Sequence, residues 1–99
     1  MIGVVVTFDY DDGEFDQSRV EKIAAEARAM FEGMPGLTTK FFTFDKKQGR
    51  ALNFYVWDSR EAAEQFFSAD LRDRVTGLYG VVPSIAFVEI AEIVDNARA

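Results

Sequence analysis

Asn53, Tyr55 and Trp57 stand at alternate positions in the run RALNFYVWD over residues 50–58. Alternation along a strand points every second side chain the same way. An amide, a phenol and an indole on one apolar-flanked face each need a hydrogen-bond partner once buried. A pocket holding water or a ligand supplies such partners. The chemistry open to this set is to orient a ring-bearing molecule and to hold or move a proton on it. On the first strand the matching polar-bearing face is Val5, Thr7 and Asp9. The expected pocket is therefore Val5, Thr7, Asn53, Tyr55 and Trp57, with Asn53, Tyr55, Trp57 and Asp9 as catalytic candidates.

The 99 residues contain no histidine and no cysteine. That removes the usual neutral-pH base, the partner that a nucleophilic serine requires, and the common ligands of zinc, copper and haem. Ser18, Ser59, Ser68 and Ser84 thus form no catalytic triad. No metal and no cofactor are expected. A base would have to be a carboxylate raised by burial or a tyrosine lowered by a neighbour. Asp9, Glu89 and Tyr55 fit by lying in, or at the end of, strands. The acids around Gly13 do not form an EF-hand loop, because counting back from that glycine puts Phe8 at the first ligand position.

These groups need elements to hold them. Residues 2–10 are β-branched and aromatic and predict a strand. Ser18 and Glu21 have capping-box spacing, with Asp16 as a rival cap, and the apolar period after them predicts a helix over 17–32 that stops at Gly33 and Pro35-Gly36. Strands over 37–45 and 50–58 are joined by the turn Lys46-Lys47-Gln48-Gly49. Asp58 and Glu61 predict a second helix, and Asp70 caps a further short helical piece. Gly77-Leu78-Tyr79-Gly80 reads as a connector, or alternatively as a pocket lid. Residues 82–95 predict a long last strand. The order is β-α-β-β-α-β, a ferredoxin-like α+β fold with an antiparallel sheet and helices on one face, in a single domain over residues 1–99. Leu52, Phe54 and Val56 are the set expected to pack under the helices.

Both faces of the strands carry bulky apolar groups, yet helices cover only one. A bare apolar sheet face is a partner surface, so a homodimer is expected, with the open face lining a cavity against the partner. The formal charge of −6 excludes the basic face that nucleic acid requires. No apolar run approaches the ~18 residues of a membrane span. Met1 leads directly into Ile2-Gly3-Val4 without a basic stretch, so a cytoplasmic location is expected. Lys40, Lys46, Lys47 and Arg50 read as protection of an edge hairpin rather than as an anion site.

Glu32-Gly33-Met34-Pro35-Gly36-Leu37 resembles the helix end and second-strand start of the dimeric α+β barrel superfamily. Tyr55-Val56-Trp57-Asp58-Ser59-Arg60-Glu61-Ala62-Ala63 is similar to the strand-to-helix junction of its antibiotic-biosynthesis-monooxygenase-like members. Nearly the whole chain resembles the small YdhR-like monooxygenases of that group. The resemblance implies a homodimeric, cofactor-independent oxygenase acting on a small hydrophobic molecule, aromatic or a quinol, whose deprotonated form reacts with dioxygen directly. It also implies a pocket between the sheet and the helices or partner strands. Trp57 looks like a pocket tryptophan of such proteins. The haem-degrading members rely on a histidine that is missing here. Alternatives on the same pocket are a non-catalytic small-molecule-binding protein and a cofactor-free isomerase or cyclase.

Overall fold

A computed structural model describes residues 1–98. Its strands are β1 (Ile2–Asp9), β2 (Leu37–Asp45), β3 (Arg50–Trp57) and β4 (Ser84–Glu89), and its helices are α1 (Gln17–Phe31), α2 (Arg60–Phe66) and α3 (Ala69–Tyr79), before a short 3-10 turn at Asn96–Arg98. The strands form one antiparallel sheet in the order β2-β3-β1-β4. This is the ferredoxin-like arrangement, with the second helical region split in two.

The caps differ in detail from the spacing-based reading. Asp16 caps α1 by accepting from the Arg19 N–H, so the capping box at Ser18 is not the one used. Ser59 rather than Asp58 caps α2, its side chain accepting from the Ala62 N–H, while the Asp58 N–H donates to the Gly36 carbonyl at 2.9 Å. Ser68 rather than Asp70 caps α3. Gly77-Leu78-Tyr79-Gly80 is neither connector nor lid but the last turn of α3, closed by Gly80 at φ +85°. β4 ends at Glu89, not residue 95. Among the described residues it pairs only with β1, whose Ile2 lies opposite Glu89, so the ladder runs out of partner strand there.

Residues directly opposite in a ladder share a face. Val4 lies opposite Tyr55, Val6 opposite Asn53, and Phe8 opposite Ala51. With Ile2 and Trp57, this set is at most 4% exposed and packs against Val20 of α1, Ala63 of α2 and Tyr79 of α3. The expected faces are therefore reversed. Asn53, Tyr55 and Trp57 lie under the helices, whereas Leu52, Phe54 and Val56 point to the open side with Val5, Thr7 and Asp9. The open side also carries Phe41 and Val88, 52% and 43% exposed. Residues 90–95 border a cleft with Phe41, Phe54 and Val56 on that side.

Gly36 joins α1's exit to β2 at φ +83°, and an added Cβ would sit 3.0 Å from the Ala62 Cβ of α2. Gly13, at φ +79°, has open space around it. The left-handed conformation alone costs an L-residue about 1–2 kcal/mol. Gly36→Ala is expected to lose more stability than Gly13→Ala in thermal denaturation, each kcal/mol lowering Tm by about 4–8 °C for a domain of this size. Equal losses would show that the close approach of β2's entry to α2 contributes nothing.

Candidate functional site

Side chains from all four strands and all three helices, with Phe67 just after α2, line a cavity of about 250 Å³ on the helix side of the sheet. Its floor is Val6 and Phe8 of β1 with Asn53 and Tyr55 of β3, and its roof comes from α1 and α3. The walls are largely aromatic. Phe31 meets Phe42, Tyr55 and Phe66 with ring centroids 5.8–6.0 Å apart. Phe67 stands edge-on to Tyr55 at 4.9 Å. A cavity of about 150 Å³ in another protein accommodates benzene, so this one has room for a one- or two-ring molecule.

Two polar pairs project into this apolar surround. Asn53 Nδ2 donates to Tyr79 Oη at 3.1 Å, and Lys40 Nζ donates to Tyr55 Oη at 2.8 Å. Both phenols act as acceptors in these bonds, so each keeps its own O–H to offer a ligand. Burial raises the pKa of both tyrosines, with Tyr79's shift partly offset by the bond from Asn53. They therefore stay protonated donors at neutral pH. Tyr79 is fixed in place by stacking on Phe8 at 3.7 Å, by Tyr10 Oη donating to its carbonyl at 2.7 Å, and by Arg19 donating to the adjacent Leu78 carbonyl at 2.6 Å.

Lys40 is the residue that the hairpin reading missed. It alternates with Phe42 and Phe44 along β2 and lies opposite Tyr55, which turns it toward the helix side. Its Nζ sits 3.5, 4.0 and 4.2 Å from the ring centroids of Phe31, Phe42 and Tyr55. Desolvation lowers its pKa to about 6. The signal available in the sequence was a lysine occupying an aromatic alternation, Lys40-Phe42-Phe44, rather than the turn beside it.

The other expected site residues fall elsewhere. Trp57 is 1% exposed and stacks beside Tyr55, one layer behind the cavity wall, with its indole N–H unpartnered. Val5 and Thr7 lie on the open face, across the sheet from the cavity. Asp9 is exposed at the sheet end, with its Oδ1 2.8 Å from Arg50 Nε. Glu89 is exposed at the far end of β4. Asn53 and Tyr55 are brought together; Val5, Thr7, Asp9, Trp57 and Glu89 do not join them at the cavity. Among the described residues there is no cluster of three or more acids that could hold a metal ion, and no helix long and apolar enough to cross a membrane.

Solved structures with this architecture include a monooxygenase from the gene ActVA-Orf6 of Streptomyces coelicolor in complex with nanaomycin D. It is 21% identical with a TM-score of 0.71, the match covering 94% of this chain and 89% of that one. SnoaB, a cofactor-independent oxygenase from Streptomyces nogalater, is 16% identical with a TM-score of 0.67, covering 93% and 94%. An antibiotic biosynthesis monooxygenase is 13% identical with a TM-score of 0.67, covering 93% and 100%. At these identities the likeness establishes the fold, which is that of the antibiotic biosynthesis monooxygenases. No protein-family model matches the chain, and no curated protein is significantly similar to it.

The shifted pKa of Lys40 makes a stability prediction. Above about pH 10.5 the lysine is neutral in both the folded and unfolded chain and costs nothing by this route. As pH falls toward about 6, the unfolded chain binds a proton that the folded one does not, and stability declines. Lys40→Met is therefore expected to be more stable than the wild type at neutral pH. The gap should close by up to about 1.4 kcal/mol per pH unit as pH rises toward the upper limit. Urea denaturation across that range measures it, and a pH-independent gap would contradict a buried neutral amine.

Proposed function

We propose that the protein is a cofactor-independent monooxygenase whose substrate is a small hydrophobic hydroxyarene of one or two rings. The observation that carries this is the largely aromatic cavity into which two phenols, Tyr55 and Tyr79, project beside Asn53 and Lys40. Two donors converging on one cavity suit an oxygen that becomes negatively charged. The electron-rich ring supplies the reducing electrons, so the chemistry needs no flavin or metal. A phenol and one dioxygen give a quinone and one water: one oxygen atom enters the ring as a carbonyl, and the other leaves as water with the two displaced hydrogens. The monooxygenase names of the similar structures favour the same reading, and the closer likeness to YdhR-type monooxygenases is part of this proposal.

Asn53 has a positioning role in this scheme, since it holds the Tyr79 hydroxyl. An oxygen electrode run with one- and two-ring hydroxyarenes tests the reading. Uptake should be saturable, and Tyr79→Phe should lower kcat by about 10²-fold, the cost typical of losing one oxyanion donor. Saturable binding without uptake would make the protein a binding protein on the same cavity.

The homodimer forms through the open face in this proposal. Phe41 and Val88 on that face, with Val94 at 81% exposed in the segment beside it, present apolar surface that no helix covers. At about 25 cal/mol per Å², burying a standard ~800 Å² on each partner with half of it apolar gives about 20 kcal/mol, against an association cost of about 4–15 kcal/mol. Light scattering at micromolar concentration should give twice the 11.2 kDa chain mass. A monomer mass would refute the dimer and leave the cavity assignment standing.

A further inference from the structure

We infer that Lys40 is the proton acceptor for the substrate's hydroxyl, an assignment that rests on the hydroxyarene reading of the same cavity. Three features of its placement argue for this. First, the amine sits in the cavity wall with no carboxylate partner among the described residues, facing ring surfaces instead. Secondly, its contact with Tyr55 Oη at 2.8 Å is the one side-chain hydrogen bond the amine makes among the described residues, so its remaining hydrogen-bonding capacity is open to a ligand oxygen. Thirdly, Lys40, Phe31 and Phe42 are shared between the inner cavity and a second, outer cleft formed by the end of α1 and the start of β2. The lysine is thus a partition between the substrate's compartment and solvent, the position a proton relay requires.

In the step itself the substrate O–H bond breaks and its electron pair stays on oxygen. The amine lone pair forms the new N–H bond. The products are an arene-olate, held by the Tyr55 and Tyr79 hydroxyls, and an ammonium, held by the faces of Phe31, Phe42 and Tyr55. The charges arise as a pair, so the cavity never holds an isolated ion. The olate then reacts with dioxygen, and the ammonium gives its proton back, directly or by exchange with solvent through the outer cleft, to the oxygen that leaves as water. The lysine's pKa of about 6 leaves it neutral and ready to accept at neutral pH. The charged groups nearest this route are Glu26 of α1 and Arg72 and Arg74 of α3 at the cavity, and the Arg28–Glu32 pair at the outer cleft.

Lysine-specific 13C labelling tests the assignment on the unmodified protein, because the Cε shift reports the ionisation of each of the four lysines, Lys22, Lys40, Lys46 and Lys47. The Lys40 signal should be that of a neutral amine at neutral pH and should move to the ammonium position when 4-nitrophenol is added. The absorbance of the bound probe should at the same time show a ratio of ionised to neutral form about tenfold above that of the free probe, equivalent to one pKa unit. Lys40→Met should bind the probe in its neutral form. A Lys40 signal that titrates with the other three lysines, or that stays neutral while the probe is bound, overturns the lysine's role alone. Failure of the wild type to bind the probe overturns the hydroxyarene reading and this assignment with it.

Discussion

The pairing of Val6 with Asn53 across β1 and β3 governs where every other group in the site lies. Side chains alternate with a period of two, so this one register places Ile2, Val4, Val6 and Phe8 on the same side as Ala51, Asn53, Tyr55 and Trp57. A slip of one residue would turn the whole second set to the opposite side. The hairpin from β2 to β3 then brings Lys40 opposite Tyr55 and Phe42 opposite Asn53. The amine, Tyr55 and the amide thereby meet beneath α1 and α3, where Tyr79 at the end of α3 reaches Asn53.

That register also explains which parts of the structure were legible in the sequence. The element order, the β2–β3 hairpin and the helix stop before Pro35-Gly36 follow from local signals: alternation, turn glycines and caps. The face assignment does not. In β3 the set Leu52, Phe54 and Val56 is more hydrophobic than Ala51, Asn53, Tyr55 and Trp57, so hydrophobicity alone sends the wrong set under the helices. What decides the matter is pairing with β1, more than forty positions away along the chain, and no local pattern encodes it. Tyr55 and Trp57 tolerate the buried side because Phe66 and Phe67 surround them with ring contacts. The cavity, placed by the residue pattern between the open face and a partner, lies on the helix side, the other location that the family resemblance implied.

Lys40 illustrates the same limit from the other direction. In sequence it stands among Thr39, Phe41 and Phe42 on a strand leading to the charged turn at Lys46-Lys47, and grouping it with that turn suggests a solvated edge. Its neighbours in space are Phe31 from α1 and Phe42 and Tyr55 from adjoining strand positions. Placing an amine there costs solvation that no carboxylate restores, and the ring faces return only part of it. A buried amine compensated only in part is the sort of local inconsistency that marks a functional position rather than a structural one. The tyrosines share that character: both are buried phenols whose protons remain available.

The account's central claim is that substrate binds on the helix side of the sheet, against Asn53, Tyr55 and Lys40. A crystal structure of the protein with 2-naphthol bound tests it most directly. The account predicts the ring system between the β1–β3 floor and helices α1 and α3, with the hydroxyl within hydrogen-bonding distance of Lys40 Nζ or of the Tyr55 and Tyr79 hydroxyls. A naphthol seated on the open face against Val5 and Phe54, with the helix-side cavity empty, would contradict it.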